Sequence, residues 1–271
     1  GLIVERTSGI SYAEYVRTQL FERAGMRDSR YCDASTVVPR RARGYQLGGQ
    51  GLERAHYLDH TWPFAAGSLC STVADLDAWN RALHGGKILG AGAYREMIAP
   101  GTLADGTTLG YAKGLGVGSL AGHPAIHHGG AISGFLSYVA WFPERELSIA
   151  VSVNTMGPVQ PLDVVRAIAR SVLGEPAARV ARLEGKAADY VGEYRGVGGL
   201  GEEMVMHVSA DSSGALLLQS PFSGPTPRPL TPLGEGTFGL DDNRVRFVRE
   251  DGRVTGLSFD ATYALIVLRR E

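Results

Sequence analysis

What this chain has little of narrows its function before any motif is read. Among its 271 residues only Cys32 and Cys70 are cysteine, too few for a disulfide-rich scaffold or a four-cysteine zinc site. They fit either a bonded pair in an exported protein or two buried thiols, and both readings stand. An excess of charge of one sign is also missing. The 27 basic and 28 acidic residues leave a formal net charge of -1, without the basic footprint that marks a nucleic-acid or anionic-membrane binder. No apolar run approaches the roughly 18–20 residues of a membrane-spanning helix. Lysine is scarce, occurring only at Lys87, Lys113 and Lys186, so lysine-dependent catalytic motifs are quickly checked.

Several catalytic signatures are absent as well. No serine has glycine on both sides at the spacing of the Gly-x-Ser-x-Gly nucleophile elbow, and no His-Glu-x-x-His metalloprotease motif occurs. The glycines of 114–118 lie inside a strand pattern rather than at a strand-to-helix turn, so no dinucleotide cofactor is expected, nor any other.

What is present is a folded chain. A hydrophobic content of 44% suffices for a sizeable core. Residues 2–8 read as the last turns of a helix stopped by Gly9. No N-cap precedes them, so a longer parent chain is expected. Ser11 and Glu14 form a capping box for a helix with Ala13, Val16, Leu20, Phe21 and Ala24 on one face. Residues 27–62 read as irregular, with a loop tip at 48–51. Thr72 and Asp75 make a second capping box for a helix through Leu83, and a short helix near 93–98 follows.

From Tyr111 the period changes to two. Segments 111–118, 136–142 and 147–153 read as strands, the last two joined by a hairpin at 143–146. Residues 161–173 return to helix, with Leu162, Val165, Ile168, Ala169 and Val172 on the apolar stripe. A boundary falls near 175, followed by a helical connection to about Lys186. Short alternating runs near 190–195, 203–209, 214–219, 236–240, 244–249, 253–259 and 263–268 then argue a small antiparallel barrel or sandwich.

The densest polar constellation is His123, His127 and His128 with Gly129, Gly130 and Gly134. Adjacent histidines on a strand point to opposite faces, and no carboxylate or cysteine lies nearby, so no metal is expected here. A histidine pair capping a glycine turn and a catalytic wall remain.

Residues 1–175 resemble the serine β-lactamase-related hydrolases, the group of class C β-lactamases, D-alanyl-D-alanine carboxypeptidases and family VIII esterases. The resemblance rests on three elements in order. Residues 1–28 are similar to the helix pair after the family's Tyr-x-Asn element, and residues 65–75 to its small-residue turn and following helix. His128-Gly129-Gly130, ahead of Gly134-Phe135, is similar to its His-x-Gly element. Residues 188–271 resemble the small β-barrel often appended to such hydrolases. The resemblance implies an α+β fold: part of a β-lactamase/transpeptidase-like antiparallel sheet with packed helices over 1–175, then an all-β antiparallel barrel over 188–271.

It further implies a catalytic role for His128 as hydrogen-bond donor or proton carrier. Gly129, Gly130 and Ala131 are implied to be substrate-binding, with the Ala131 N–H as half of an oxyanion hole. Yet residues 84, 110 and 183, three before each lysine, are His, Gly and Leu, and no tyrosine has asparagine two residues later. The Ser-x-x-Lys nucleophile and the Tyr-x-Asn element are thus not within these residues. The expected function is a fragment of a serine hydrolase, acting on an ester, amide or peptide through an acyl-enzyme and inactive as this chain alone. The alternatives are a non-catalytic binding module and one half of a two-chain hydrolase. Expected partners are a small-molecule or peptide substrate in the complete protein, and a missing N-terminal segment or a second copy at an exposed sheet edge. Neither nucleic acid nor a membrane span is expected.

Overall fold

The computed structural model describes residues 1–33, 35–104, 108–174, 181–198, 201–221, 226–261 and 264–271. The fold is α+β, with helices, antiparallel sheets and a nearly closed barrel. The chain forms two compact units, Gly1–Ala99 with His123–Gly174, and Pro100–Gly122 with Glu175–Glu271. Segment 100–122, which lies in the sequence between two parts of the first unit, thus clusters with the second.

In the first unit, α1 (Leu2–Ser8) ends at Gly9, whose φ of 75° is left-handed and whose N–H donates to the Glu5 carbonyl. Ser11 caps α2 (Tyr12–Val16), its Oγ accepting from the Glu14 N–H at 3.2 Å. The expected capping box is only half formed, because the Glu14 carboxylate turns to Arg17 at 2.6 Å. A π-helical turn, Arg17–Phe21, leads into α3 (Glu22–Ala24). The wider turn shifts the helix face, so Val16, Phe21 and Ala24 are buried while Leu20 stays partly exposed.

Region 27–62 is more ordered than its composition suggests. It holds β1 (Arg30–Tyr31) and a hairpin of β2 (Tyr45–Gly48) with β3 (Gly51–Arg54), closed at Gly48↔Gly51. Strand β4 (Leu69–Cys70) returns to pair with β1, placing Arg30 opposite Cys70. Cys32 and Cys70 are joined as a disulfide with Cα atoms 5.7 Å apart. Thr72 then caps α4 (Val73–His84) by accepting the Asp75 N–H. Here too the box is half formed. The Asp75 carboxylate instead accepts the Asp28 N–H at 2.8 Å and the Ser29 hydroxyl at 2.7 Å, tying the helix start to the preceding turn. Helix α5 (Ala91–Ile98) follows.

Strand β5 (Gly116–Leu120) starts later than the alternation over 111–118 suggests. The Ala112 N–H donates to Leu115 O, and Gly114 takes a φ of 82°, so the first part of that run is a tight turn. Strands β6 (His123–Ile132), β7 (Phe135–Phe142) and β8 (Leu147–Val153) form an antiparallel meander, its second hairpin where the sequence places it. Helix α6 (Pro161–Leu173) packs on β7 and β8. Its buried stripe is narrower than its apolar one. Val165 and Ala169 are fully buried, but Ile168 and Val172 are 38% and 61% exposed. Asn80 of α4 is buried, donating to Ala140 O at 3.2 Å and Ser148 Oγ at 3.0 Å.

In the second unit no helix covers 181–186; only a 3-10 turn, Ala187–Asp189, precedes the barrel. The expected helical connection fails over these described residues, where the Ala181 N–H instead donates to Pro232 O. The barrel's strands are β9 (Gly192–Val197), β10 (Glu203–Ala210), β11 (Leu216–Gln219), β12 (Arg228–Pro229), β13 (Thr231–Gly234), β14 (Thr237–Leu240), β15 (Asn243–Glu250), β16 (Arg253–Ala261) and β17 (Ala264–Arg270). Their order, β12-β11-β10-β9-β17-β16-β15-β14-β13, puts neighbours in sequence at its two ends. Strand β12, of two residues, and β13, with no buried residue, were not legible. The core is aromatic, with Tyr190, Phe238 and Phe247 edge-to-face at centroid distances of 4.9–5.4 Å. The Tyr194 hydroxyl donates to Tyr190 O at 2.6 Å, and burial pushes its pKa up to about 12.

Candidate active site

The residues singled out by the glycine-histidine pattern lie on β6, except Gly134, which lies in the turn that follows it. The strand runs buried through Ala125, Ile126 and His127, emerges half-buried at His128 and Gly129, and is exposed at Gly130 and Ala131. A strand that leaves the core with glycines at its end presents backbone, which is what close approach of a substrate requires.

Alternation separates the two histidines. His127 faces the side covered by α6. It is 4% exposed, hydrogen-bonded through Nδ1 to the Tyr138 hydroxyl at 2.7 Å and stacked on that ring. Burial pushes its pKa down to about 4, with the neighbouring His128 and Arg166 adding to the effect. His127 is therefore a neutral packing residue.

His128 faces the other side, with Gly130, Val139 and Ser137. Its Nδ1 lies 2.6 Å from Gly129 O. A carbonyl only accepts, so Nδ1 carries the proton and Nε2 is the basic nitrogen of the neutral ring. The ring is thus set in one tautomer by its own strand. Gly130 has a further reason to be glycine, since a Cβ there would lie 2.5 Å from Ser137 Oγ on the neighbouring strand.

The β6–β7 turn is clasped by the loop between Cys32 and Cys70. Gly134, at a φ of 81°, meets Gly44 so closely that a Cβ would lie 2.6 Å from the Gly44 Cα. The Ser133 hydroxyl donates to His56 O at 2.7 Å. Gly67 lies near Ile132, whose Cδ1 would be 3.8 Å from an added Cβ; Ile132 shares a face with His128 by alternation. The sequence places the tip of this hairpin at 48–51 but not its strands, which are four residues each, β2 half-buried for most of its length and β3 exposed throughout.

Other histidines do not build a second centre. His84 stacks on Trp141 at 5.0 Å and hydrogen-bonds the Tyr94 hydroxyl through Nδ1 at 2.7 Å, and burial lowers its pKa to about 4. Among the described residues no group of His, Cys, Asp and Glu has the arrangement to hold a metal ion. None of their helices is long and apolar enough to cross a membrane.

Comparison with known proteins bears on the family and the fold. A D-aminopeptidase of Gluconobacter oxydans is 27% identical over 158 residues, 58% of this chain and 30% of that protein. The chain thus spans about a third of the length of the curated relatives it matches. In fold it is similar to the octameric penicillin-binding protein homologue from Pyrococcus abyssi, with a TM-score of 0.53 and 21% identity over 98% of this chain and 62% of that one. A D-stereospecific amidohydrolase from Streptomyces sp. is similar at a TM-score of 0.54 and 22% identity, over 65% of this chain and 52% of that one. Residues 1–173, which carry the α4–β6–β7–β8–α6 framework and the His128-Gly129-Gly130 strand, match the Beta-lactamase family, and the chain belongs to it.

Proposed function

We propose that this chain contributes the His-x-Gly wall of a serine hydrolase that cleaves amides or short peptides, with D-amino-acid substrates the favoured class. The observation that carries the reading is the emergence of β6 at His128–Ala131, with the His128 tautomer set by Gly129 O. His128 then offers Nε2 to a substrate or to a proton in transit. Gly129 and Gly130 admit the substrate backbone, and the Ala131 N–H donates to the oxyanion. A D-aminopeptidase relative and a D-stereospecific amidohydrolase neighbour support the substrate class. An imidazole attracts a substrate carboxylate less than an ammonium does, which favours uncharged amides and esters over penicillins.

These residues hold neither Ser-x-x-Lys nor Tyr-x-Asn, so the acyl-enzyme must form on a serine supplied from outside them. The sheet has a place for the segment that carries that serine, whether in the same polypeptide or a second one. Strand β8 ends its sheet order, and an edge strand offers unpaired N–H and C=O groups to an incoming strand.

The test has two arms. Alone, the 271-residue chain should take no covalent adduct from a fluorophosphonate probe or a penicillin; stoichiometric labelling by intact mass would overturn the reading. Joined to a segment bearing Ser-x-x-Lys and Tyr-x-Asn, it should hydrolyse D-amino acid amides. His128→Ala should then lower kcat by up to about 10²–10⁴-fold, the range of a lost proton-transfer group, with the melting temperature little changed. A variant that melts early yet keeps turnover in its folded fraction would make His128 a turn residue.

A further inference from the structure

We propose that the Cys32–Cys70 disulfide is a redox clamp on the loop it closes. Oxidised, it holds that loop against the turn ending the His128–Ala131 strand; reduced by a dithiol, it lets the loop go.

The loop has little of its own to hold it. The two cysteines are 38 residues apart in sequence. Among the described residues between them only Ser68 is buried, so the loop has no apolar core. Its non-covalent base is a ladder of two pairs, Arg30↔Cys70 and Tyr31↔Leu69, the Cys32 N–H donating to Ser68 O at 2.8 Å, the Tyr31 hydroxyl donating to His60 O at 3.1 Å, and Phe64 against the rings of Tyr12 and Tyr31. So short a ladder is marginal in water. Closing a long loop covalently removes most of the entropy that would open it.

At its far end the loop grips the candidate site's frame. The Tyr45 N–H donates to Asn154 O at 3.0 Å, and the Met156 N–H to Tyr45 O at 2.9 Å. The Asn154 amide donates to Arg43 O at 3.0 Å, and His56 O accepts from Ser133. The Gly44–Gly134 backbone contact sits between these bonds. A loop tethered at its base and hydrogen-bonded at its tip stiffens the turn at 133–134, where β6 reverses. Loosening the base should loosen the tip.

The two cysteines differ in exposure. Cys32 is 1% exposed, whereas Cys70 is half-buried. A reductant thiolate therefore attacks Cys70 Sγ. The protein S–S bond breaks, and Cys32 leaves as a thiolate that takes up a proton. The reductant's second thiol then attacks its own sulfur in the mixed disulfide and releases Cys70, which is protonated in turn. The protein gains two electrons and two protons, and the dithiol becomes a disulfide.

That this clamp would regulate catalysis rests on the reading of His128–Ala131 as a hydrolase site; the clamp itself does not. Amide hydrogen exchange on the full 271-residue chain, oxidised and after dithiothreitol, separates the two. Exchange over 43–56 and 131–136 should rise about tenfold or more on reduction, with 161–173 and 203–208 unchanged, as expected of a local opening. Reoxidation should restore protection, and Cys70→Ser should reproduce the reduced pattern without reductant. Unchanged exchange at 131–136 would overturn the proposal. So would loss of protection across α6 as well, since the bond would then be a staple of the whole unit. Should Cys70→Ser fail to fold, the reversible chemical cycle on the unaltered chain still decides. Because no turnover is read, a failed clamp and a failed His128 assignment give separate results.

Discussion

Tyr138 lies opposite Gly129 in the β6–β7 ladder and hydrogen-bonds His127 at 2.7 Å, their rings stacked at an interplanar angle of 20°. The glycine leaves room on that face for the tyrosine ring, and the pair buries a histidine directly behind the one exposed to the site. One strand thus carries a structural and a candidate functional imidazole side by side, kept apart by the pleat.

That arrangement predicts acid sensitivity. The folded-state pKa of His127 is depressed to about 4 from 6.5, so between those values the unfolded chain binds the extra proton. Stability is therefore fully present above pH 6.5 and falls as pH drops toward 4, by ~3 kcal/mol at most for this group. Urea denaturation between pH 7 and 4.5 should show a falling midpoint, and His127→Gln should flatten the curve. An unchanged slope in the variant would mean that His127 is not buried neutral. His84, lowered to about 4 as well by burial, should contribute a comparable share that survives in the variant.

How much of this was legible depended on whether the signal was local. The β7–β8 hairpin and α6 were read almost to the residue because alternation, Pro143 and the Gln160-Pro161 start are all local cues. The opposite faces of His127 and His128 followed from the strand period alone. The partner of His127 was legible in principle, since a tight turn at 133–134 fixes the register that brings Tyr138 opposite Gly129. The loop closed by the disulfide was legible only at its tip, 48–51, because two strands of four residues are too short for a periodic signal. Nor could any local pattern assign segment 100–122, whose tie to the second unit is long-range: Gly110 donates its N–H to Asp260.

The two strand-end glycines should respond differently to a methyl group. In Gly130→Ala the new Cβ meets the tip of Ser137, a side-chain atom at 2.5 Å. Overpacking of this kind costs about 1–3 kcal/mol, and Gly130→Ala with Ser137→Ala should recover most of it. Gly134→Ala combines a left-handed φ of 81° with a backbone obstacle, the Gly44 Cα at 2.6 Å. No side-chain truncation relieves that, so Gly134→Ala should lower the melting temperature whether or not Ser137 is present. Equal rescue of both variants by Ser137→Ala would contradict the geometry.

The barrel should fold apart from the first unit, and where it is cut should matter. The sequence sets its start at 188, yet Leu183 and Ala187 pack against the buried core that includes Tyr190, Met206, Phe238 and Leu257. The Tyr190 hydroxyl also donates to Glu184 O, and the Glu184 carboxylate accepts the Glu235 N–H at 2.7 Å. A fragment 181–271 should therefore melt cooperatively, with the near-ultraviolet dichroism of its packed tyrosines. A fragment 188–271 should be less stable by about 1–3 kcal/mol, the cost of uncovering one leucine and losing these bonds. Both pieces lack segment 100–122, so the Asp260 carboxylate loses the Gly110 N–H that it accepts in the whole chain. Burial raises the Asp260 pKa, which makes that carboxylate's charged form unfavourable in the fold. Asp260→Asn should accordingly leave 181–271 as stable or more so. A molten 181–271 that folds only when 100–122 is joined to it would show that the barrel is not autonomous, and that the segment is an integral part of it.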